Sequence, residues 1–585
     1  MCGIFGASSV QDFKQEESCV SALKSFSYRG PDNTGFSVED AVFLGNNRLS
    51  IIDVNERANQ PIVDSQKNSR IVFNGEIYNY KQLKKELEAD NQIFLTNSDT
   101  EVILVGYNLY GPSFFGRLQG MFAIAIHDLH KHKIILARDH AGIKPLLYFK
   151  NNDSIVFSSE MKGVAQYVNP SNLSIDQTAV KLLSGYGSVP SPLTLFNEVK
   201  KLEKGCWVEF DLIGKKLSKA KRIEFKSDNK ITLEEKIERS IERHLVSDVP
   251  IGVFFSGGID SSLIASYLAK KGHNLKTYSL RMVNKPDDEK YAKLIANHLK
   301  IEPEYIDFGI EEFTSSYAEI RDKIDEPTLD SSMVALYHMA KIARKETKVV
   351  LSGEGGDEMF YGYARQGEII KMKHAKNESS LLDKLFQFLP NFKGKRTIFA
   401  RLFVILGYTK SYYLSQLSPG VSVNGWQEWR NFIAKNDINP NYYDKEIYLE
   451  NDLLRKMDFG TSYASIEGRV PFLDVSLYVD EERPFDDFKS KLIPKRILKS
   501  MLSKYLPENL INRPKSGMGI QMSAIVSKSA PLRNDIYAAA DVFKNHDSLK
   551  NLVPDDIPSS LTKEPYLCYT LATTYISLKN IGFLK

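Results

Sequence analysis

The sequence has few of the features that mark secreted, metal-stapled or nucleic-acid-binding proteins. Its 585 residues include only four cysteines, Cys2, Cys19, Cys206 and Cys568, which are too far apart for a disulfide framework or a zinc site. The formal net charge is only +4. This balance gives no electrostatic reason to expect a nucleic acid or a membrane surface as partner.

Long apolar runs are missing as well. The nearest candidate, "LFVILGY" at 402–408, is far shorter than the roughly 18 residues that a membrane-spanning helix needs. The N-terminus lacks the basic region and long apolar run of a secretory signal, so we expect a cytoplasmic protein. A hydrophobic content of 42% is typical of globular proteins. At about 150 residues per domain, the length predicts two to four domains, or two large ones.

The hydrophobic periodicity changes along the chain. Residues 1 to about 165 consist mainly of short strand-like runs, with helical period in "YKQLKKELEA" and "DTEVILVGYNLYG", which predicts a layered α+β domain. The pattern is irregular from about 166 to 225, where we expect a linker or a domain edge. After residue 230 strands alternate with helices, which predicts a parallel, doubly wound sheet, and residues beyond 360 are mostly helical.

The segment "VFFSGGIDSS" at 253–262 has the character of a phosphate-binding loop. Small residues follow an apolar strand and precede a helix, so backbone N–H groups can approach an anion closely. The loop lacks the Lys-Ser or Lys-Thr pair of a P-loop. Asp260 would repel a phosphate unless a magnesium ion stands between them. An ordinary strand–turn–helix is the alternative interpretation of this segment.

A second loop of the same character, "VVLSGEGGDEMF", also follows a strand. Loops at the carboxyl ends of parallel strands meet in one crevice, so we expect the two loops to face each other. Two glycine- and serine-rich loops that carry Asp260 and Asp357 indicate a site for a triphosphate and its metal ion.

The front domain holds the groups needed to release ammonia from an amide. Removal of Met1 would leave Cys2 with a free α-amine, whose ordinary pKa of about 7.7–8.0 suits it to accept the thiol proton. Attack on a carboxamide forms an oxyanion, and the Asn74 side-chain amide with the Gly75 N–H offers two donors for it.

Charged residues of the same domain suit the rest of an amino acid. Arg48 can hold an α-carboxylate through two hydrogen bonds, and Asp99 and Glu76 can receive an α-ammonium. A thiol, an oxyanion site and one charge of each sign predict a pocket for glutamine. Each residue alone is a weak signal, since an isolated arginine is more often part of a surface ion pair.

Several strings carry a resemblance to a known family. "SGGIDSS", "LSGEGGDE", "RVPFLD", "KRILKSML" and "NRPKSGMG" resemble the synthetase domain of glutamine-dependent asparagine synthetases, which are ATP pyrophosphatases. Cys2 with "YRGPD", "NNRLSIID", "FNGEIYN" and "SDTEV" resembles the glutaminase domain of class II amidotransferases. The resemblance implies an N-terminal nucleophile (Ntn) hydrolase αββα sandwich at 2–213. It also implies a parallel-sheet ATP-pyrophosphatase domain, like the adenine nucleotide alpha hydrolases, at 214–585, with a helical C-terminal part.

The resemblance also implies roles for residues of the back domain. Asp260 and Asp357 would hold Mg²⁺ on ATP, Glu354 would deprotonate the attacking nitrogen, and Lys495 would neutralise phosphate charge. The remaining predicted ATP contacts are Phe255 and Leu280 at the adenosine, Ser352 and Gly353 at the nucleotide, and Ser256, Gly257, Gly258, Ser261 and Ser262 around the pyrophosphate. Without the resemblance, Lys495 would be interpreted as part of a solvated basic helix face.

The implied activity is amidation of a carboxylate through an acyl-adenylate, with L-aspartate as the first candidate acceptor. Asp330, Ser331 and Ser332 stand where some asparagine synthetases carry an arginine, so a sugar uronic acid is an alternative acceptor. A third hypothesis, an inactive regulatory homologue, predicts the loss of a nucleophile or metal ligand, yet all the key residues are present. The expected partners are small molecules, with a homodimer plausible by resemblance.

Overall fold

The computed structural model describes residues 1–66, 68–226, 230–274, 276–283, 286–363, 444–479, 494–512 and 521–584. The segment "LFVILGY" and most of "NRPKSGMG" lie outside these residues. Among the helices within them, none is both long and apolar enough to cross a lipid bilayer.

The front domain is built on two antiparallel sheets. One has six strands in the order β10-β8-β9-β1-β3-β2, and the other has β12-β11-β7-β6-β5-β4, with β13 against β11. The strands are β1 Gly3–Ser8, β2 Asn33–Glu39, β3 Val42–Arg48, β4 Ile62–Val63, β5 Ser69–Ile77, β6 Gly120–Asp128, β7 Lys133–Arg138, β8 Leu147–Lys150, β9 Ile155–Ser158, β10 Val199–Lys201, β11 Cys206–Asp211, β12 Lys216–Leu217 and β13 Lys221–Arg222. Strands β12 and β13 continue the second sheet to Arg222, beyond the predicted boundary at residue 213.

Helices cover the outer faces of these two sheets. Helices α1 and α4 pack on the first sheet, and α3 packs on β5 of the second with α2 beside it. The helices of this part are α1 Phe13–Lys24, α2 Tyr80–Ala89, α3 Asp99–Tyr110, α4 Met161–Val168 and α5 Gln177–Tyr186. Every residue of β6 is buried, as expected of a strand with both faces covered. The predicted αββα arrangement is confirmed.

The back domain contains a five-stranded parallel sheet in the order β16-β15-β14-β17-β18, which confirms the second fold prediction. Its strands are β14 Ile251–Phe254, β15 Lys276–Met282, β16 Glu304–Phe308, β17 Val349–Leu351 and β18 Glu467–Arg469. Helices α6 Leu233–Arg243, α7 Ile259–Lys270, α8 Pro286–Leu299, α9 Ile310–Ile320, α10 Ser332–Ala343 and α11 Gly356–Met359 lie between or before the strands.

The described C-terminal part is mostly helical, as predicted. A π-helical segment, Asp444–Leu453, leads directly into helix α12 Leu454–Ser462. The later helices are α13 Val475–Tyr478, α14 Arg496–Leu502, α15 Glu508–Ile511, α16 Met522–Lys528, α17 Ala530–Lys544, α18 Ile557–Lys563 and α19 Pro565–Asn580.

Local sequence explains where α6 begins. Thr232 and Glu235 form a capping box, in which the Glu235 N–H donates to Thr232 Oγ1 at 3.2 Å and the Thr232 N–H donates to Glu235 Oε2 at 2.8 Å. Ile237 and Ile241, four residues apart, are both fully buried. The helix therefore buries one apolar stripe, as its period predicts.

One apolar core joins the two domains. It includes Phe73 and Ile124 of the front sheets and Val253 and Leu351 of the parallel sheet. The predicted sites of the two domains are therefore held by a packed interface.

Candidate functional site

Cys2 lies just before β1 and is buried, with its Sγ 3.9 Å from the Leu49 carbonyl oxygen. Burial raises the pKa of the Cys2 thiol, and the neighbouring N-terminal amine opposes this shift. Burial also lowers the pKa of the Met1 amine from 8.0 to about 5. The Met1 amine is therefore mostly uncharged at neutral pH.

Asn74 lies in β5 and is fully buried. Neither its Nδ2 nor its Oδ1 has a hydrogen-bond partner among the described residues. Buried amides are rarely left in this state, because an unmade hydrogen bond costs about 1–3 kcal/mol. A ligand that accepts from Nδ2 would remove part of this cost, as the predicted oxyanion would.

Gly75 is held against the neighbouring strand. A Cβ atom at this position would overlap the carbonyl oxygen of Met121 and lie 2.8 Å from the Phe122 Cα. The close approach of β5 to β6 at this position therefore requires glycine.

Arg48, at the end of β3, is buried among neutral oxygens. Its guanidinium donates to the Asn55 carbonyl at 3.1 Å, Asn59 Oδ1 at 2.8 Å, the Ile52 carbonyl at 3.1 Å and the Asp53 carbonyl at 2.6 Å. Within the described part of the chain, no carboxylate forms an ion pair with it. These four bonds use all the Nη hydrogens, so the charge of Arg48 and its Nε–H are what it offers a ligand carboxylate as it stands.

Asp99 and Glu76, the predicted ammonium acceptors, have different surroundings. Asp99 Oδ2 accepts from the Ile77 N–H at 3.0 Å, and burial raises the pKa of Asp99 from 3.8 to about 6. Glu76 Oε2 accepts from Arg469 of the back domain at 2.9 Å, while its Oε1 has no partner among the described residues. Burial, with Asp99 adding to it, holds the pKa of Glu76 well above its ordinary value. Glu76 is thus a residue of the domain interface as well as of the predicted pocket.

The two predicted phosphate loops follow adjacent strands. In the pair β14 and β17, Val253 lies opposite Leu351. A Cβ atom on Gly353, in the second loop, would lie 2.9 Å from the Cβ of Asp260, in the first. The expectation that both loops meet at one edge of the sheet is confirmed.

Serine hydroxyls organise the first loop from within. Ser261 Oγ accepts from the Ser256 N–H at 3.2 Å, and Ser256 Oγ accepts from the Gly258 N–H at 3.3 Å. Gly257 has φ +68°, and a Cβ atom there would lie 2.8 Å from Ala292 Cα. Ser262 Oγ is buried with no partner among the described residues. The loop therefore combines backbone amides and hydroxyls that an anion can take over.

The other predicted nucleotide contacts surround this loop. The Phe255 N–H donates to the Tyr278 carbonyl at 2.8 Å, which ties the end of β14 to β15, the strand that carries Leu280. The Ser352 N–H donates to the Arg469 carbonyl at 2.9 Å, which fixes the start of the second loop.

Lys495 joins the two predicted metal ligands. Its Nζ forms an ion pair with Asp260 and lies 2.8 Å from Asp357 Oδ1. Burial lowers the pKa of Lys495, but Asp260 and Asp357 more than reverse this and raise it to about 12. Two carboxylates beside a phosphate loop fit Mg²⁺, which is usually held by one or two carboxylates and the phosphates of its nucleotide. The described residues contain no group of three or more His, Cys, Asp or Glu side chains that could hold a metal ion by themselves.

Glu354, the predicted base, is held by a residue that the sequence did not point to. Its Oε1 lies 2.9 Å from Lys456 Nζ, which is also 3.7 Å from Asp330 Oδ2. Asp452 is buried beside this group, and burial, followed by Asp330, raises the pKa of Asp452 to about 8. Asp452 Oδ1 has no partner among the described residues. We call Asp330, Glu354, Asp452 and Lys456 the acidic cluster.

Sequence reasoning missed Lys456 because the pair with Glu354 joins residues about a hundred positions apart. It also missed Arg29, whose Nε donates to the Cys2 carbonyl at 3.0 Å, although "YRGPD" contains it. The motif includes Arg29 but does not predict a role for its side chain.

Comparison with known proteins agrees with this geometry. Residues 1–220 match the model of the glutamine amidotransferase domain, and residues 232–559 match that of asparagine synthase. Asparagine synthetase [glutamine-hydrolyzing] 1 of Bacillus subtilis (strain 168) is 34% identical over 553 residues, which cover 89% of this chain and 87% of that protein. Asparagine synthetase B [glutamine-hydrolyzing] of Escherichia coli (strain K12) is 32% identical over 386 residues, 62% of this chain and 65% of that protein. The chain therefore belongs to the glutamine-hydrolysing asparagine synthetase family and is an amidotransferase of the ligase type.

Proposed function

We propose that this enzyme converts L-aspartate, L-glutamine, ATP and water to L-asparagine, L-glutamate, AMP and pyrophosphate. ATP use follows from membership of the family, whereas Mg²⁺ and the acceptor belong to the proposal. The observation that carries it is that the front domain holds a buried thiol and a buried, unpartnered amide and that, across a packed interface, the back domain holds two phosphate loops joined by Lys495.

In the glutaminase half-reaction, the Cys2 thiol attacks the side-chain amide carbon of glutamine and passes its proton to the α-amine freed by removal of Met1. Asn74 Nδ2 and the Gly75 N–H stabilise the oxyanion. The C–N bond then breaks, ammonia leaves with the proton held by the amine, and water hydrolyses the thioester to glutamate. Arg48 and Asp99 hold the α-carboxylate and α-ammonium.

In the synthetase half-reaction, the acceptor carboxylate displaces pyrophosphate from ATP and forms an acyl-adenylate. Backbone and hydroxyl groups of the Ser256–Ser262 loop hold the pyrophosphate, and Lys495 offsets its charge. Magnesium, held by Asp260 and Asp357, would supply further charge neutralisation. Ammonia then attacks the acyl carbon, Glu354 takes a proton from the nitrogen, and AMP leaves.

The acidic cluster favours a second candidate acceptor. Asp330 and Asp452 place two carboxyl groups near Glu354, and Lys456, the cation among these residues, is already paired. Carboxyl groups accept hydrogen bonds from hydroxyls as well as from the α-ammonium of aspartate, so the distinction rests on the α-carboxylate of aspartate, which needs a cation. A sugar uronic acid, which carries hydroxyls and one carboxylate, fits this cluster.

A panel of acceptors separates the two candidates. The enzyme is incubated with glutamine, ATP and Mg²⁺ plus aspartate, a series of uronic acids or no acceptor, and pyrophosphate and amide products are measured. Pyrophosphate release and asparagine formation with aspartate support the first candidate. No product with aspartate but product with a uronic acid supports the second candidate instead. No product with any acceptor contradicts both candidates.

Two further expectations are tested separately. A homodimer predicts twice the chain mass in solution by light scattering. A cytoplasmic location predicts recovery of the protein in the cytosolic fraction of its cells.

A further inference from the structure

Arg29 lies at the centre of a buried polar group beside Cys2. Its side chain is fully buried, and its Nε donates to the Cys2 carbonyl at 3.0 Å. Its Nη1 donates to Glu160 Oε1 at 2.5 Å and to Asp458 Oδ2 at 2.8 Å, while its Nη2 donates to Asp458 Oδ1 at 2.9 Å. The contact with Asp458 uses both carboxylate oxygens, a geometry that fixes the plane of the guanidinium.

Asp458 comes from the other domain. It lies in α12 of the back domain, 429 positions after Arg29, and is buried like its partner. Burial alone would raise the pKa of Asp458, but Arg29 more than reverses this, so the pKa falls below its ordinary value. Asp458 is therefore ionised at neutral pH, and it holds Arg29 by charge as well as by geometry.

We propose that Asp458 is a positioning residue of the glutaminase site, supplied by the synthetase domain. Through Arg29 it fixes the Cys2 carbonyl, and with it the peptide unit that aims the Cys2 thiol and amine at the glutamine amide. This inference rests on the proposed role of Cys2 as nucleophile. The alternative is that Asp458 and Arg29 only join the domains.

The helix that carries Asp458 also holds the other site. Lys456, two residues earlier in α12, lies 2.9 Å from Glu354 Oε1. The nucleophile of one half-reaction and the base of the other are thus fixed to the same turn of helix. Such rigid support is what precise positioning needs, because a displacement of about 1 Å can cost ~100-fold in rate.

The test uses two substitutions of Asp458 in the full-length enzyme. Asp458→Asn removes the charge, and Asp458→Glu keeps it with a longer arm. The matched control is Glu450→Gln, which removes the charge from another buried contact between the domains, Arg138 Nη1 to Glu450 Oε1 at 2.9 Å. Glutamine-dependent and ammonium-dependent amide formation are measured for each variant, with kcat and KM for glutamine and the thermal midpoint.

We expect Asp458→Asn to lower kcat with glutamine by about 10–100-fold with little change in KM, and to leave ammonium-dependent activity within about twofold. Asp458→Glu should lie between this variant and the wild type. Glu450→Gln should leave the ratio of glutamine-dependent to ammonium-dependent activity unchanged.

An equal fall of the two activities in Asp458→Asn, or the same fall of their ratio in Glu450→Gln, would show that the contact only joins the domains and would overturn the inference. If Asp458→Asn does not fold, the test uses Asp458→Glu. The inference then requires a ratio of glutamine-dependent to ammonium-dependent activity that is lower in Asp458→Glu than in Glu450→Gln. A Cys2→Ala variant is measured alongside. Retained glutamine use in that variant overturns the proposed function itself, whatever the Asp458 variants show.

Discussion

Arg469 of the back domain donates from Nη2 to Glu76 Oε2 of the front domain at 2.9 Å, and both side chains are buried. Arg469 begins "RVPFLD" and Glu76 lies in "FNGEIYN", so motifs of the two half-reactions meet in one ion pair. Arg469 also donates from Nε to Glu467 Oε1 at 2.9 Å and from Nη1 to the His244 carbonyl at 2.8 Å. The interface is therefore built from functional segments of both domains.

Breaking this pair should destabilise the protein. Burial raises the pKa of the Glu467 carboxyl, but Arg469 more than reverses this effect and lowers it. Arg469→Met leaves the Glu467 carboxylate buried without its cation and removes the donor to Glu76, so we expect the free energy of unfolding to fall by about 3–5 kcal/mol. Chemical denaturation followed by far-UV circular dichroism measures it. Arg57→Met, which removes an exposed partner of Asp53, is the control and should cost less than about 1 kcal/mol. Equal costs in the two variants would contradict the role given to Arg469.

Cys2→Ala should separate the two half-reactions. The variant lacks the nucleophile but keeps the phosphate loops, so glutamine-dependent amide formation should disappear and ammonium-dependent formation should remain within about twofold. Cys19→Ala, which replaces another buried cysteine, is the control and should keep both activities. Loss of both activities in Cys2→Ala would contradict the division of labour between the domains.

Asn74→Leu should lower activity without lowering stability. Loss of one oxyanion donor costs about 10²–10³-fold in kcat, so glutamine hydrolysis should fall by this factor. Both amide atoms of Asn74 lack partners among the described residues, so an apolar side chain of similar size should leave the thermal midpoint unchanged or raise it. A lower midpoint with intact hydrolysis would mean that Asn74 is a structural residue.

Glutamine use should depend on the ionisation of Asp99. Burial raises the pKa of Asp99 to about 6, and only the ionised form can pair with an α-ammonium, so kcat/KM for glutamine should fall as the pH drops through about 6. Asp99→Asn should raise KM for glutamine by about 10–100-fold, since a hydrogen bond to a charged group contributes ~1.5–3 kcal/mol. In Asp99→Asn the remaining kcat/KM for glutamine should show no fall near pH 6. A fall at the same pH in this variant would mean that another group is responsible for the pH dependence.

The same shift has a stability consequence of defined sign. Because the folded-state pKa of Asp99 lies above its ordinary value of 3.8, the folded state binds a proton more tightly than the unfolded chain between pH 3.8 and about 6. The contribution of Asp99 to the free energy of unfolding therefore decreases as the pH rises through this interval. The free energy of unfolding of the wild type minus that of Asp99→Asn, measured by denaturation at several pH values, should show this decrease.

Lys495→Met should stop carboxylate activation with either nitrogen source. It removes the cation that pairs with Asp260 and Asp357, so pyrophosphate release should fall by more than about 100-fold with glutamine and with ammonium. Lys499→Met, in helix α14, which begins directly after Lys495, is the control and should retain activity. Glutaminase activity without ATP should survive in both variants. Unchanged pyrophosphate release in Lys495→Met would mean that Lys495 is a structural partner of Asp260 and Asp357 with no part in carboxylate activation.

Much of the fold could be predicted because periodicity is a local property. "YKQLKKELEA" became α2 at Tyr80–Ala89 without a shift, since Leu83 and Leu87 repeat at helical spacing. The helix α1 was missed because its buried Cys19, Ala22 and Leu23 are outnumbered by polar residues in "FKQEESCVSALK". Its burial is decided by the sheet on which it packs, which the local sequence does not specify.

The sequence could place the two glycine-rich loops at one edge of the sheet, but not the neighbours of their residues. The loops follow adjacent strands as expected, and the metal-binding roles of Asp260 and Asp357 stay predictions. Lys456 and Asp458 lie in "RKMDFG", which matches no motif, and they contact Glu354 and Arg29. Contacts between residues a hundred or more positions apart depend on how the domains dock.

The central claim is that nitrogen released at Cys2 becomes the amide of the acceptor within one protein. The most direct measurement is to give the enzyme glutamine labelled with ¹⁵N in its side-chain amide, ATP, Mg²⁺ and the active acceptor, in the presence of excess unlabelled ammonium, and to determine the ¹⁵N content of the amide product by mass spectrometry. The account predicts a product rich in ¹⁵N for the wild type and an unlabelled product for Cys2→Ala. A wild-type product whose ¹⁵N content matches the mixed ammonium pool in solution would contradict it.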